Sequence, residues 1–304
     1  MKIAVLYGGV SAEREVSISS GKGIIQALKN KGHDVVGIDF SPEKLDEVMN
    51  LQVDMVYIGL HGRFGEDGKV QALLDMLEIP YVGSGVLGSA LAIDKAKAKL
   101  FFEQAGTRIA KDLVVYKRSY NKNSFEHSFS FPVVVKPNQE GSTIGITIAQ
   151  NDDELKEGIE KAFQWDQTVL VEEFISGKEV TVAVMGNQGK EKALPVVEII
   201  SKNDFYDYEA KYSTGMSEHI IPASISKEQL AYVQNHAVIA HRSLSCDIYS
   251  RVDFIVPKEG EPVILEVNTL PGMTPTSLYP DAAHEIGLSY DDMIEELINL
   301  SRKK

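Results

Sequence analysis

The segment from Arg251 to Leu278, RVDFIVPKEGEPVILEVNTLPGMTPTSL, constrains the fold more than any other stretch of the chain. RVDFIV and VILEVN are β-branched runs that alternate with period two, and PKEGEP between them supplies turn formers, so two antiparallel strands are predicted. With the turn centred on Glu259 and Gly260, Asp253 falls opposite Glu266, and Arg251 opposite Asn268. The same register sets Val252, Phe254 and Val256 against Val267, Leu265 and Val263 on a wholly apolar face. Asp253, Glu266 and Asn268 then share the other face with Ile255 and Ile264. Two carboxylates and an amide oxygen within cross-strand reach suit Mg²⁺, a hard cation that takes oxygen ligands and completes its shell with water and phosphate. A solvated polar face on an ordinary hairpin fits the same alternation. The residues after Asn268 favour the metal. Pro271, Gly272 and Pro275 rule out continued strand, which leaves backbone N–H groups and hydroxyls beside the carboxylates.

The remaining length has to build cores around this hairpin. At 304 residues, 43% hydrophobic and 25% charged, the chain is ordinary globular material with room for two or three domains. A net charge of −13 opposes non-specific binding to nucleic acid or to anionic membrane, so an anionic ligand needs a local basic site. The single Cys246 excludes an internal disulfide, and MKIAVLYGG is too short an apolar run for a signal peptide or a membrane span. The cytoplasm is the expected compartment.

In the N-terminal third, IAVLY, a helix from Ser17 to Lys31, DVVGIDF, DMVYIGL and IPYVG predict a small parallel α/β sheet. Ligands bind beyond the carboxyl ends of such strands, which directs attention to GGVSAEREVS and HGRFGEDG. Gly8-Gly9 does not make a dinucleotide fingerprint, because a glutamate stands where the third glycine is needed. A buried Glu13 would repel a pyrophosphate and attract an ammonium, so it is read as a substrate-amine ligand; a helix N-terminal charge is the alternative. His61 is either a satisfied structural histidine or a group held near a ligand by its flanking glycines.

Further along, a helix is expected from Leu87 to Gln104, with Gly85 to Lys95 as a candidate linker. FPVVVKPNQEGSTIGITIA follows, a strand ending at Lys136, a glycine-hydroxyl turn and a second strand. A lysine at a strand end beside such a turn is read as a phosphate-binding device, with a polar hairpin turn as the alternative, and it is not a Walker A loop. After a helix from Lys156 to Phe163, VLVEEFISGKE offers backbone edges and Glu172, Glu173 and Glu179 for a heterocycle and a ribose.

Taken together, GGVSAEREVS, LHGRFGEDG, VVVKPNQEGSTIG, VEEFISGKE, EAKY, RVDF and LEVNTLPGMTPTSL resemble the D-alanine–D-alanine ligases, members of the ATP-grasp superfamily, nearly end to end. The resemblance implies an α/β and α+β fold of three domains: 1–93, a parallel α/β domain; 94–179, a central ATP-grasp subdomain; and 180–304, a second carrying the metal ligands and a lid, with the ATP-grasp unit over about 99–293. It implies Lys95 and Lys136 on the ATP phosphates, Ser142 and Thr143 at the phosphate-loop tip, Glu172, Glu173, Phe174 and Ile175 as adenine hinge, and Glu179 on the ribose. Asp253, Glu266 and Asn268 would hold two Mg²⁺ or Mn²⁺ ions. Glu13 would bind the first D-alanine's ammonium, with Ser142 and Tyr212 bonded to its side of the site and His61 near the substrate carboxylates. Arg251 and the Gly272 N–H would receive an oxyanion, and Ser277 and Leu278 the second D-alanine's carboxylate. Lys211 would be a lid lysine on the γ-phosphate, the lid running from Ile200 to Ser217. The resemblance further implies a K⁺-like monovalent cation and a homodimer; a D-alanine–D-lactate or D-alanine–D-serine ligase is the nearest alternative.

Overall fold

Short β-branched runs separated by glycine turns build three sheets, each positioned to carry part of one site. A computed structural model describes residues 1–201 and 217–303. The first sheet contains β1 (Lys2–Gly8), β2 (Asp34–Phe40), β3 (Met55–Ile58) and β4 (Tyr81–Val82), all parallel in the order β2-β1-β3-β4. A near-continuous apolar strand is what a parallel sheet covered on both faces requires, and Ile3 to Leu6 are fully buried. Helix Arg14–Asn30 packs on this sheet, starting three residues before the expected Ser17.

The second sheet is antiparallel, with β5 (Asp112–Tyr116), β6 (Val133–Pro137), β7 (Thr147–Ala149) and β8 (Thr168–Glu173) in the order β5-β8-β6-β7. Its core is closed by Leu155, Ile159 and Ala162 from helix Asp152–Ala162. The third sheet contains β9 (Lys178–Gly186), β10 (Lys192–Ala193), β11 (Val197–Ser201), β12 (Ser217–Ile220), β13 (Ile248–Val256) and β14 (Val263–Asn268). Its order is β12-β11-β9-β13-β14, with β10 on β9.

The helix expected from Lys156 to Phe163 begins earlier, at Asp152, and three larger expectations change. The stretch expected as one helix from Leu87 is two, Val86–Ile93 and Lys95–Gln104, broken at Asp94 (ψ 91°). The Asp94 carboxylate accepts from the Lys97 backbone N–H at 3.1 Å and from Asn138 Nδ2 at 2.8 Å, which makes it the cap of the second helix. Gly85 to Lys95 is accordingly not an open linker: Gly88, Ser89 and Ala92 are buried, and a Cβ at Gly88 would stand 2.6 Å from the Ser245 carbonyl. Finally, the hairpin keeps Arg251↔Asn268, Val252↔Val267 and Asp253↔Glu266, but a bulge then pairs Phe254 with Ile264 and Ile255 with Val263. Ile264 therefore fills the apolar face intended for Leu265, which is left half-buried.

One apolar core spans the first sheet and the chain's end. Met293, Ile294, Leu297 and Ile298 of helix Tyr290–Ser301 join Ile24, Leu28 and the strands of the first sheet in a single buried cluster. This packing presents the loops after β1 and β3 to the tail after β14.

Candidate active site

Glu13 lies at the start of helix Arg14–Asn30 and is 9% exposed. The Ser142 hydroxyl donates to Glu13 Oε1 across 129 residues of sequence. Glycines from two other loops lie against the same carboxylate. A Cβ at Gly62 (φ +66°) would stand 3.2 Å from Oε2, and one at Gly141 3.3 Å from it, so larger side chains would crowd the carboxylate. Ser142 and Thr143 have φ of 51° and 65°, a conformation L-residues adopt at a cost and which recurs at ligand-binding loops.

His61 has both ring nitrogens engaged by protein. Nδ1, 3.0 Å from the Leu270 carbonyl, is the donor, and Nε2 accepts from Ser20 Oγ at 3.0 Å. Ser20 Oγ in turn accepts from the Met273 N–H at 3.2 Å. Burial lowers the imidazole's pKa, against the opposing pull of Glu13, and favours this neutral tautomer. His61 thus ties the loop after β3 to the LPGM tail. In that tail the Thr274 N–H donates to Ser277 Oγ at 3.1 Å, and a Cβ at Gly272 would meet the same oxygen at 3.1 Å. The Leu278 side chain is core, so what it offers a ligand is its backbone N–H in the first turn of helix Leu278–His284.

The hairpin carboxylates are neutralised by cations. Asp253 accepts from Arg251 Nε at 2.9 Å and Nη2 at 2.8 Å, from Thr181 Oγ1 at 2.5 Å and from Asn268 Nδ2 at 3.0 Å. Glu266 pairs with Lys95 Nζ at 3.1 Å, and Lys95 also donates to the Glu140 carbonyl at 2.8 Å. Burial alone would lower the Lys95 pKa, but Glu266 beside it raises it. Two cross-strand carboxylates, each beside a cation, with the Asn268 amide two residues along from Glu266 and bonded to Asp253, form a donor set that fits a hard divalent ion.

At the second sheet, Lys136 Nζ lies 2.6 Å from Glu172 Oε2 at the strand end before the loop of Ser142. Glu173 accepts from the Lys111 N–H at 2.9 Å, Phe174 is exposed, and Ile175 and Glu179 are half-buried. Lys211 and Tyr212, with most of the expected lid, lie outside the described residues.

Three residues at the site had no role from the sequence. Thr181 is one, as a donor to Asp253, and Lys99 a second, bonded to Glu172 at 2.6 Å. The third is Glu66, which accepts from the Gly62 N–H at 2.6 Å; its carboxyl is pushed up to about 8, first by burial and then by the Glu13 charge. The signal was a carboxylate between glycines in a loop that must lie close to a ligand. The native state keeps a proton on Glu66 that the unfolded chain releases near the ordinary value of 4.5. Its contribution to stability is therefore full below that value and is lost as pH rises through the folded pKa. Glu66→Gln should consequently melt above the parent by a margin that grows from about pH 5 to about pH 8 and then levels off. A margin constant across this range would refute it.

Family models described as D-ala D-ala ligase C-terminus and N-terminus match residues 101–299, and residues 2–46 and 41–84. The chain belongs to the D-alanine–D-alanine ligase family. Among its relatives, a D-alanine–D-alanine ligase of Halalkalibacterium halodurans is 67% identical with all of both chains covered. Another, of Geotalea uraniireducens, is 47% identical over 98% of this chain and 94% of its own. The ligase of Bacillus anthracis complexed with ATP superposes with a TM-score of 0.84 at 34% identity, covering 100% of this chain and 97% of that one. The VanG D-Ala:D-Ser ligase of Enterococcus faecalis gives 0.85 at 33% identity over 99% of each. Ligases of this family have the ATP-grasp fold, and the three sheets are this chain's version of it.

Proposed function

We propose that this ATP-dependent ligase joins two D-alanines into D-alanyl-D-alanine through an acyl phosphate, as a precursor for peptidoglycan. The Ser142–Glu13 hydrogen bond carries this reading, because it ties a carboxylate suited to an ammonium directly to the tip of a phosphate-binding loop. Residues 1–93, 94–179 and 180–304 each supply part of that site. Glu13 holds the first D-alanine's ammonium, and one oxygen of that substrate's carboxylate attacks the γ-phosphorus while ADP departs. Lys95 and Lys136, with Lys211 from the lid, neutralise the phosphates; Ser142 and Thr143 cap them. Glu172 to Ile175 line the adenine, and Glu179 holds the ribose.

The second D-alanine's carboxylate rests on the Ser277 hydroxyl and the Leu278 N–H. Its ammonium loses a proton, the amine attacks the acyl carbon, and the tetrahedral oxyanion forms against Arg251 and the Gly272 N–H before phosphate leaves. Tyr212 and His61 complete the substrate side. Asp253, Glu266 and Asn268 would hold two Mg²⁺ or Mn²⁺ ions, which would neutralise charge on the phosphate oxygens. No helix among the described residues is long and apolar enough to cross a membrane. We place the enzyme in the cytoplasm as a homodimer that responds to K⁺.

The test offers D-alanine, D-serine and D-lactate together with ATP and identifies products by mass between about pH 6 and 9, since an α-amino group titrates at about 7.7–8.0 or higher. D-alanyl-D-alanine should dominate throughout, with a share over the lactate product that grows with pH. A main product containing D-serine or D-lactate would replace the acceptor, and ADP release indifferent to D-alanine would sink the reading. Lys136→Ala should raise the apparent KM for ATP roughly 10- to 150-fold, the equivalent of a charge-assisted bond of about 1.5–3 kcal/mol, and leave that for D-alanine near the parent's. Unchanged ATP kinetics would reduce the loop to a structural turn.

A further inference from the structure

Four charged side chains outside the metal set form a cluster behind the phosphate loop. Glu172 of β8 stands directly opposite Asp112 of β5, a placement of like charges that weakens strand pairing unless something neutralises it. The Lys99 ammonium, from helix Lys95–Gln104, lies 2.6 Å from Glu172 Oε1 and 3.1 Å from Asp112 Oδ1. It also donates to the Ala110 carbonyl at 2.8 Å. An ammonium has three N–H donors, and these acceptors use all three. Lys99 is moreover 4% exposed, so it has neither a donor nor a surface for a nucleotide. Lys136 is placed differently. It is diagonal to Glu172 on β6, where Val134 is the direct partner of Glu172, and Glu172 takes one of its three donors. Burial alone would raise the Glu172 carboxyl, but Lys136 and Lys99 together bring it below the ordinary range.

We propose that Lys99 is a positioning residue for the nucleotide: by neutralising Glu172 and Asp112 together, it holds Lys136 in place and leaves the Lys136 charge for phosphate oxygens. Two lysines against two carboxylates balance. Without Lys99 the cluster carries one net negative charge, Glu172 draws on Lys136 alone, and phosphates meet repulsion in a site of low dielectric. This deepens the ATP reading above and rests on it.

The experiment measures ADP binding by calorimetry, and apparent KM values for ATP and D-alanine, in the parent, Lys99→Met, Asp112→Asn and the double variant. Lys99→Met should weaken ADP binding and raise the ATP KM about tenfold, with the D-alanine KM unchanged. Adding Asp112→Asn restores the charge balance and should bring both nucleotide values back to within about threefold of the parent, while Asp112→Asn alone binds ADP at least as tightly as the parent. Parent-like ADP binding by folded Lys99→Met overturns the proposal. So does a loss that the double variant does not recover, since charge would then not be the cause. If Lys99→Met fails to fold, the folded double variant decides on the same threefold criterion. A parent that binds no ADP removes the ATP reading itself, whereas a parent that binds beside an unaffected Lys99→Met removes only the role of Lys99.

Discussion

Glu266→Gln lowers kcat by about 100- to 1000-fold or more at saturating Mg²⁺, the range expected when a single transition-state charge contact is removed. The substitution keeps size and shape but removes one negative charge from a position set among charged and polar side chains. Asp253 is its direct cross-strand partner, Lys95 Nζ lies 3.1 Å away, and Asn268 follows on the same strand. A neutral amide would weaken the hold on a divalent cation and release Lys95 from its anchor. The side chain is 21% exposed, but it is the carboxylate beside the buried Lys95 ammonium, so the melting temperature should fall by about 5 °C while the fold stays intact. ADP release and a thermal melt on the same preparation check both halves. Near-parent turnover would remove Glu266 from the metal set.

If Arg251 receives the oxyanion as proposed, Arg251→Met should cost about 100- to 1000-fold in kcat and much less in the KM for ATP, because such a donor acts in the transition state and not on bound nucleotide. Arg251 forks onto both oxygens of Asp253, which holds the guanidinium plane steady on the hairpin. Arg251→Lys separates charge from geometry. Lysine keeps the cation but cannot reproduce the fork, and should recover no more than about a tenth of the lost rate. A kcat within threefold of the parent in Arg251→Met, or losses confined to the ATP KM, would move the oxyanion role elsewhere.

Arg251 and Glu266 are legible as near neighbours from the sequence alone, because both lie on one hairpin. Alternation with period two assigns faces, a turn cluster assigns the partner strand, and the pairings Arg251↔Asn268 and Asp253↔Glu266 follow from short-range geometry. The same locality makes the parallel opening sheet and the glycine-hydroxyl loop after Lys136 readable. Pairing by simple alternation ends one residue further on. A bulge after Asp253 exchanges Ile264 and Leu265 between faces, since the core needs Ile264 packed against Phe254 and the register gives way to that packing.

The sequence by itself determined which groups are present and which local frame each occupies: the carboxylates of the hairpin, the lysine at the end of β6, the glutamate at a helix start. Only the tertiary structure decided which of them meet. The Ser142 hydroxyl on Glu13, which the family resemblance implied but no local pattern could, His61 on the Leu270 carbonyl, and the last helix inside the first core each join residues far apart in the chain. Lys99 shows why such contacts are invisible to periodicity. Helical spacing sets Lys95 and Lys99 on one face and Lys97 on the opposite one, but it does not say which face is buried or what meets it; Lys97 is exposed while Lys95 and Lys99 are buried. Burying an ammonium is favourable only where opposite charges and acceptors have already converged. Here they come from Glu172, Asp112 and Ala110, brought together by strand pairing and by the turn that follows the helix.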